Sequence, residues 1–166
     1  YIDFSFDKLQ LGGSSFAQVL NRVGKETPDV KDADYFVNAF MAIQRLVEEG
    51  YVLAGHDISA GGMITTLLEM CFADNRLGLD FSYLAEKDIV KILFAENPGV
   101  LVQIKDCKKV AAILDEAGVA YNFLGRLGKA GKLNIKKDGK NFHLDIPSLR
   151  DLWFKTSYLL DRRQSG

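Results

Sequence analysis

Residues 55–62, with the sequence GHDISAGG, lie between an apolar run at 51–54 and an amphipathic run at 63–72. An apolar run, a loop with glycines and then helical periodicity predict a strand, a loop and a helix. The first amides of a helix have no partner within the helix, and the positive end of the helix dipole favours an anion. This segment therefore predicts a loop that binds phosphate through its backbone.

Three side chains of this loop add chemistry that a phosphate site can use. His56 is titratable, Asp57 is a possible magnesium ligand and Ser59 carries a hydroxyl. Gly61 and Gly62 let the backbone approach a ligand closely. A structural interpretation stays open for the same residues: Asp57 or Ser59 caps the helix, His56 is a half-buried imidazole, and the glycines form a tight turn.

A second glycine loop repeats this arrangement near the start of the chain. A strand-like alternation at 1–6 precedes the sequence LGGSS, and apolar residues at helical spacing follow it. Ser14 or Ser15 is a suitable N-cap for that helix. The amides of Gly12, Gly13 and the two serines either contact phosphate or only close the turn, and their spacing does not decide between the two.

Length and charge favour one compact domain that does not bind nucleic acid. A chain of 166 residues can bury a core without disulfides. Its 21 Lys and Arg residues balance 22 Asp and Glu residues, so the formal charge is -1. The basic stretch at 129–140 has short apolar pieces and glycines between its lysines, which predicts a solvated hairpin at a sheet edge.

Cysteine usage and hydropathy indicate the cytoplasm. Cys71 and Cys107 are far apart in the sequence, and no histidine stands at zinc-ligand spacing from them. No apolar run approaches the ~18 residues of a membrane span. The first residues lack the charged and apolar regions of a signal peptide. We therefore expect a cytoplasmic location and no membrane partner.

The remaining patterns predict an α+β fold, with a mixed β-sheet flanked by helices. We expect a single lobe over residues 1–146 and a closing helix over 147–166, which has Pro147 in its first turn and Leu149, Leu152 and Trp153 facing inward.

Two further expectations concern burial. Asp32 or Asp34 caps a helix that ends at Gly50, and the run at 51–54 is a strand buried on both faces. The helix carries an apolar stripe that we expect in the core, formed by Phe36, Val37, Phe40, Ile43, Leu46 and Val47.

Several motifs in the same order resemble the large, single-chain form of the phosphoribosylformylglycinamidine synthase family, also called formylglycinamide ribonucleotide amidotransferases. The resemblance covers nearly the whole chain, which makes it far more specific than one glycine loop. It rests on LGGSSFAQV at 11–19, PDV at 28–30, HDISAGG at 56–62, TLLEM at 66–70, LFAE at 93–96 and the stretch at 149–158.

The resemblance implies a place in that enzyme and a reaction. The chain is similar to the C-terminal lobe of the second of two repeated units of the aminoimidazole ribonucleotide synthetase superfamily. In this family, ATP phosphorylates the amide oxygen of formylglycinamide ribonucleotide, and ammonia from glutamine displaces the phosphate to give the amidine of de novo purine biosynthesis. The partner ATP-binding lobes, and a glutaminase domain after the closing helix, would lie outside these residues.

The resemblance also implies site residues and cofactors. Asp57 is the candidate magnesium contact, and Mg²⁺ with ATP or ADP would be shared with the other lobes. Ala60 replaces a second acid of the family pattern, so Asp57 needs further metal ligands from outside the chain. The candidates for phosphate or nucleotide contacts are Gly12, Gly13, Ser14, His56, Ser59, Gly61 and Gly62.

Three hypotheses about function follow. In the first, the chain is a lobe of an ATP-dependent ligase that helps to bind a phosphorylated ligand or magnesium nucleotide and is inactive alone, because it has no Walker-type loop and no plausible Cys-His pair for glutamine hydrolysis. In the second, it is a stand-alone module that binds a nucleotide or sugar phosphate. In the third, it is a scaffold that holds a nucleotide permanently.

Overall fold

The computed structural model describes residues 1–74, 78–81, 88–128, 130–137 and 140–164. The mixture of helices and strands confirms the predicted α+β class. The elements up to the middle of the chain are β1 (Ile2–Asp3), α1 (Ser15–Val19), α2 (Ala33–Glu48), β2 (Val52–Asp57), α3 (Gly62–Phe72) and β3 (Gly78–Phe81). The elements that follow are α4 (Ile89–Phe94), β4 (Gly99–Ile104), α5 (Cys107–Glu116), β5 (Gly125–Gly128), β6 (Lys132–Lys137), β7 (Lys140–Asp145) and α6 (Ile146–Gln164).

The chain forms two compact units, each with its own sheet. The first comprises Tyr1–Leu67 and Ala85–Phe123, and the second comprises Leu68–Leu84 and Leu124–Gly166. A three-stranded antiparallel sheet of order β1-β4-β2 belongs to the first unit, and a four-stranded sheet of order β5-β3-β6-β7 belongs to the second. The second sheet is mixed, because β3 is parallel to β6 and antiparallel to β5. The strands expected in one sheet are therefore divided between two.

The core of the first unit lies between its sheet, α2 and α5. The stripe predicted for α2 is wrong at Val37, Phe40 and Val47, which are about half exposed. The buried face of α2 differs from the predicted stripe because it includes Ala39 and Ala42, whose small side chains let a helix pack closely on its neighbours. The buried residues of α2 are Tyr35, Ala39, Ala42 and Leu46.

β2 is an edge strand of this sheet. It pairs with β4, and Leu53, Ala54 and Gly55 are exposed. The expectation that the apolar run at 51–54 is buried on both faces is therefore wrong. An apolar run alone does not distinguish a central strand from an edge strand, because that difference depends on which strands become its neighbours.

β1 is shorter than the strand pattern at 1–6. The carboxylate of Asp3 accepts hydrogen bonds from the amides of Ser5 at 3.2 Å and Phe6 at 2.9 Å. Phe6 has a φ of 50°, in the left-handed region. The chain therefore turns away from the sheet directly after Asp3.

The second unit contains the predicted lysine-rich hairpin and the closing helix. β6 and β7 form the hairpin, β7 lies at the sheet edge, and Lys132, Lys136 and Lys140 are exposed as expected. The inward position expected for Leu152 and Trp153 on α6 is wrong, since both are exposed. Within the ranges described, none of the helices combines the length and apolar character needed to cross a membrane.

Candidate functional site

The two glycine loops predicted from the sequence meet at Glu96 in the first unit. Glu96 lies in the link between α4 and β4. Its Oε1 accepts a hydrogen bond from the amide of Ser15 at 2.8 Å and another from the amide of Gly61 at 2.7 Å. The two amides therefore lie within two hydrogen-bond lengths of each other. Hydrogen bonds to an ionised carboxylate are about twice as strong as those between neutral groups.

The other amides of the first loop also donate within the chain. A ligand that used them would have to replace an existing hydrogen bond at each position. The bonds run from Gly12 to the oxygen of Glu26 at 2.8 Å, from Gly13 to that of Val23 at 2.7 Å, and from Ser14 to that of Leu11 at 3.2 Å.

Packing fixes the shape of this first loop. Ser14 is the N-cap of α1: its Oγ accepts from the amide of Ala17 at 3.2 Å and donates to the oxygen of Leu11 at 2.7 Å. Its side chain is buried. A Cβ at Gly12 would overlap the main chain of Glu26. Glycine is required here because backbone packs directly on backbone.

The second loop makes a sharp turn into α3. Gly61 and Gly62 have φ values of 92° and 72°, which other residues rarely adopt. The amide of Gly62 donates to the oxygen of Ser59 at 3.0 Å. A Cβ at Gly62 would lie only 2.8 Å from the oxygen of Ala95 and 2.9 Å from that of Leu93. The start of α3 is thus held against the end of α4.

His56 and Asp57 are the last residues of β2, so the prediction of a loop that begins at residue 55 is wrong and the loop begins only after Asp57. Nδ1 of His56 is 2.7 Å from the main-chain oxygen of Asp57. A carbonyl only accepts, so Nδ1 carries the hydrogen in this contact. The same nitrogen is 3.4 Å from Oδ1 of Asp57, whose side chain is 75% exposed. The Asp57 carboxylate is therefore at the surface, next to Ser59 and Ala60, which are also exposed.

The first turn of α3 follows this loop directly. Its amides have no acceptor within the helix by the general geometry of a helix start. The amides of Gly61 and Gly62 already donate to Glu96 and Ser59. An anion at this helix start would therefore have to use the next amides, those of Met63 and Ile64, which belong to buried residues.

The described residues do not form a complete magnesium site. No group of three or more His, Cys, Asp or Glu side chains in this part of the chain could hold a metal ion. Asp57 supplies one oxygen at the surface. Magnesium prefers six oxygen ligands, so the others would have to come from phosphate, water or another lobe.

Glu96 is the residue that the sequence analysis missed. Its position after a helical pattern indicates only a turn, and its partners Ser15 and Gly61 are 81 and 35 residues away. The adjacent Asn97 is buried, and its amide group bonds Ser5, Lys8 and Gln10. In the local sequence, only the placement of Glu96 and Asn97 directly before Pro98 and Gly99 could have indicated these contacts.

Similarity to known proteins extends along the chain. A family model described as AIR synthase related protein, C-terminal domain, matches residues 5–138. The chain is 36% identical over 170 residues to the probable phosphoribosylformylglycinamidine synthase, chloroplastic/mitochondrial, of Arabidopsis thaliana, and 34% identical over 172 residues to phosphoribosylformylglycinamidine synthase of Homo sapiens. These alignments cover 99% of this chain but only 12% and 13% of the relatives, so the chain spans a small part of their length.

Solved structures share the fold. Phosphoribosylformylglycinamidine synthase II from Thermotoga maritima matches with a TM-score of 0.64 at 16% identity, over 84% of this chain and 24% of that chain. T. maritima PurL complexed with ATP matches with a TM-score of 0.63 at 18% identity, over 74% of this chain and 23% of that chain. The family model, the relatives and the fold agree with the superfamily indicated by the motifs, and the chain belongs to the family of AIR synthase related C-terminal domains.

Proposed function

We propose that this chain is a lobe of a phosphoribosylformylglycinamidine synthase, the ATP- and glutamine-dependent ligase that converts formylglycinamide ribonucleotide to formylglycinamidine ribonucleotide in de novo purine biosynthesis. The observation that carries this proposal is the 36% and 34% identity, over 99% of the chain, to two proteins of that name. The lobe acts with ATP-binding lobes and a glutaminase domain of the same longer protein and has no turnover alone. A cytoplasmic location is part of the proposal, although the Arabidopsis relative is named chloroplastic/mitochondrial.

The second glycine loop is the proposed place for a phosphate group of the substrate or of a magnesium nucleotide. T. maritima PurL has been solved in complexes with ATP and with FGAR, which supports ligands of this chemistry. The imidazole of His56, the hydroxyl of Ser59 and the first amides of α3 would contact the phosphate. Asp57 would supply one ligand to Mg²⁺.

The glycines and Ser14 have a different proposed role. Gly12, Gly13, Gly61 and Gly62 shape the two loops, and a Cβ at Gly61 or Gly62 would meet the side chain of Thr65 or the main chain at 93–95. Ser14 caps α1, and its buried hydroxyl already has two hydrogen bonds. These residues would contact a phosphate through their amides only by giving up hydrogen bonds that they now make.

Amidine formation by the full-length protein that contains this chain tests the proposal. With formylglycinamide ribonucleotide, glutamine and MgATP, it should form the amidine together with equal amounts of ADP and phosphate. Omission of any one substrate should abolish the product, and the 166-residue chain alone should form none. A folded full-length protein that forms no amidine contradicts the proposal. Tight, exchangeable nucleotide binding by the isolated chain would favour a stand-alone binding module instead.

A further inference from the structure

The carboxylate of Glu96 stands where the sequence predicts an external anion. Both glycine loops direct one amide, from Ser15 and from Gly61, to its Oε1. Backbone amides gathered in this way favour a negative charge. The chain's own carboxylate therefore satisfies both loops at this position, and an external phosphate must bind beside it.

Contacts on both sides hold Glu96 in place. Phe94, two residues before it, stacks on Phe16 of α1 with ring centroids 4.4 Å apart. Asn97, directly after it, is 1% exposed and hydrogen-bonded to the segment at 5–10. The direction of the Glu96 side chain is thus fixed by packing, unlike that of a mobile surface glutamate.

We infer that Glu96 is a positioning residue for the ligand site proposed above, and this inference rests on that proposed function. By accepting both amides on one oxygen, Glu96 sets the spacing of the two loops and the direction in which α3 begins. The first amides of α3 and the hydroxyl of Ser59 are thereby aimed at the phosphate. Small displacements of the groups that hold a substrate reduce catalysis strongly. Because the length of the Glu96 side chain sets the positions of both loops, we expect a change in its length to impair the enzyme more than the loss of its charge.

Two substitutions at Glu96 in the full-length protein separate length from charge. Glu96→Gln keeps an oxygen at the same distance, which still accepts both amides, and removes the charge. Glu96→Asp keeps the charge but draws the carboxylate back by one methylene. The matched control is Asp106→Glu, because Oδ1 of Asp106 also accepts two backbone amides, from Lys108 and Lys109 at 3.1 Å each, and contacts neither glycine loop.

Steady-state kinetics with MgATP and with formylglycinamide ribonucleotide as the varied substrate give the readout. For Glu96→Asp we expect KM for at least one of these substrates to rise about tenfold. For Glu96→Gln we expect a rise within about threefold, since a neutral acceptor is weaker but correctly placed. Asp106→Glu should leave both KM values unchanged even where its melting temperature falls as much as that of Glu96→Asp.

Three results would overturn the inference. If Glu96→Gln is impaired more than Glu96→Asp, the charge acts directly on a ligand or metal. If the KM values of Glu96→Asp are the same as those of the control Asp106→Glu, then Glu96 only stabilises the fold. If the wild-type enzyme forms no amidine, the proposed function fails and this role fails with it, whereas an active wild type with either of the first two results removes the Glu96 role alone.

Discussion

The hydroxyl of Tyr35 donates a hydrogen bond to the main-chain oxygen of Asp3 at 3.0 Å. It also accepts one from the amide of Ala120 at 2.9 Å. One phenol on α2 therefore joins β1 to the segment after α5. Burial raises the pKa of Tyr35 above its ordinary value of 10.0, so the hydroxyl keeps its proton at neutral pH.

Tyr35→Phe should lower the free energy of unfolding by about 1–3 kcal/mol, because it leaves an oxygen and an amide of the first unit without this partner. Urea unfolding of the 166-residue chain measures the change. Tyr158→Phe is the control, since Tyr158 is 62% exposed, and it should change the stability by less than about 0.5 kcal/mol. Equal effects of the two substitutions would contradict the role of Tyr35.

Gly62→Ala should be strongly destabilising for two separable reasons. The φ of 72° is unfavourable for alanine, and the new Cβ would press on the main chain at 93–95. Gly118→Ala isolates the first reason, because Gly118 has a φ of 66° with no atom within 4 Å of the added Cβ. Gly118→Ala should cost about 1 kcal/mol and Gly62→Ala at least about 2 kcal/mol more. Similar losses in urea unfolding would show that the α3 and α4 backbones are not in close contact.

Asp145 should contribute a pH-dependent stability to the start of α6. Its Oδ1 accepts the amide of Ser148 at 2.9 Å, and hydrogen bonds from Ser148 hold the pKa of Asp145 below its ordinary value of 3.8. The charged form therefore favours the folded state. This contribution is complete above the pKa of the unfolded chain and is lost as pH falls through the lower pKa of the folded chain.

Asp145→Asn keeps an acceptor at this position but does not titrate. Melting temperatures of the wild type and the variant should differ most above about pH 5 and converge as pH falls below the ordinary aspartate pKa of 3.8. A difference that is constant over this range would mean that Asp145 makes no pH-dependent contribution.

The isolated chain should self-associate through α6. Several large apolar side chains of this helix are exposed to solvent, and contiguous apolar surface of this kind favours association. Leu160→Lys should reduce the association in sedimentation experiments, whereas Ser157→Lys, which adds the same charge at a polar position, should not. A monomeric wild-type chain at high concentration would refute this. The exposed residues are Leu152, Trp153, Phe154, Tyr158, Leu159 and Leu160.

Asp57→Asn in the full-length protein should weaken the retention of magnesium nucleotide severalfold, because an amide oxygen is a poorer ligand for Mg²⁺ than a carboxylate. Nucleotide that stays bound through gel filtration at limiting Mg²⁺ is the measurement. Asp106→Asn makes the same chemical change away from the loops and should have no effect. Retention equal to the wild type would remove Asp57 from the metal role.

Features set by neighbouring residues were predictable from the sequence. Two cap candidates were predicted for each of α1 and α2, and Ser14 and Asp32 are the ones that act as caps. Gly50 follows the end of α2 with a φ of 69°. Each of these depends on a side chain or glycine within about one turn of the helix end. The order of strand, loop and helix in this region was also predicted, because hydrophobic periodicity changes there, but β2 extends to Asp57 and shortens the loop predicted over 55–62.

Features set by distant residues were not predictable. Phe40 fits a helical stripe as well as Ala39 does, and only the packing of α2 in the core decides which of them is buried. The exposure of β2 depends likewise on its place in the sheet. In the candidate site, glycines and serines were identified by type, but their amide partners were not. Glu96 shows the reason: the sequence identifies a carboxylate, but it does not indicate from which distant backbone amides that carboxylate accepts hydrogen bonds.

During synthesis, Ser15 and Gly61 emerge from the ribosome before Glu96 does. Their contacts with it span 81 and 35 residues, so neither loop can acquire this partner until α4 and the link after it have been made. Until then both amides are hydrated. The two loops are therefore joined only late, and a nascent chain that ends before Glu96 has both glycine motifs without the carboxylate that links them.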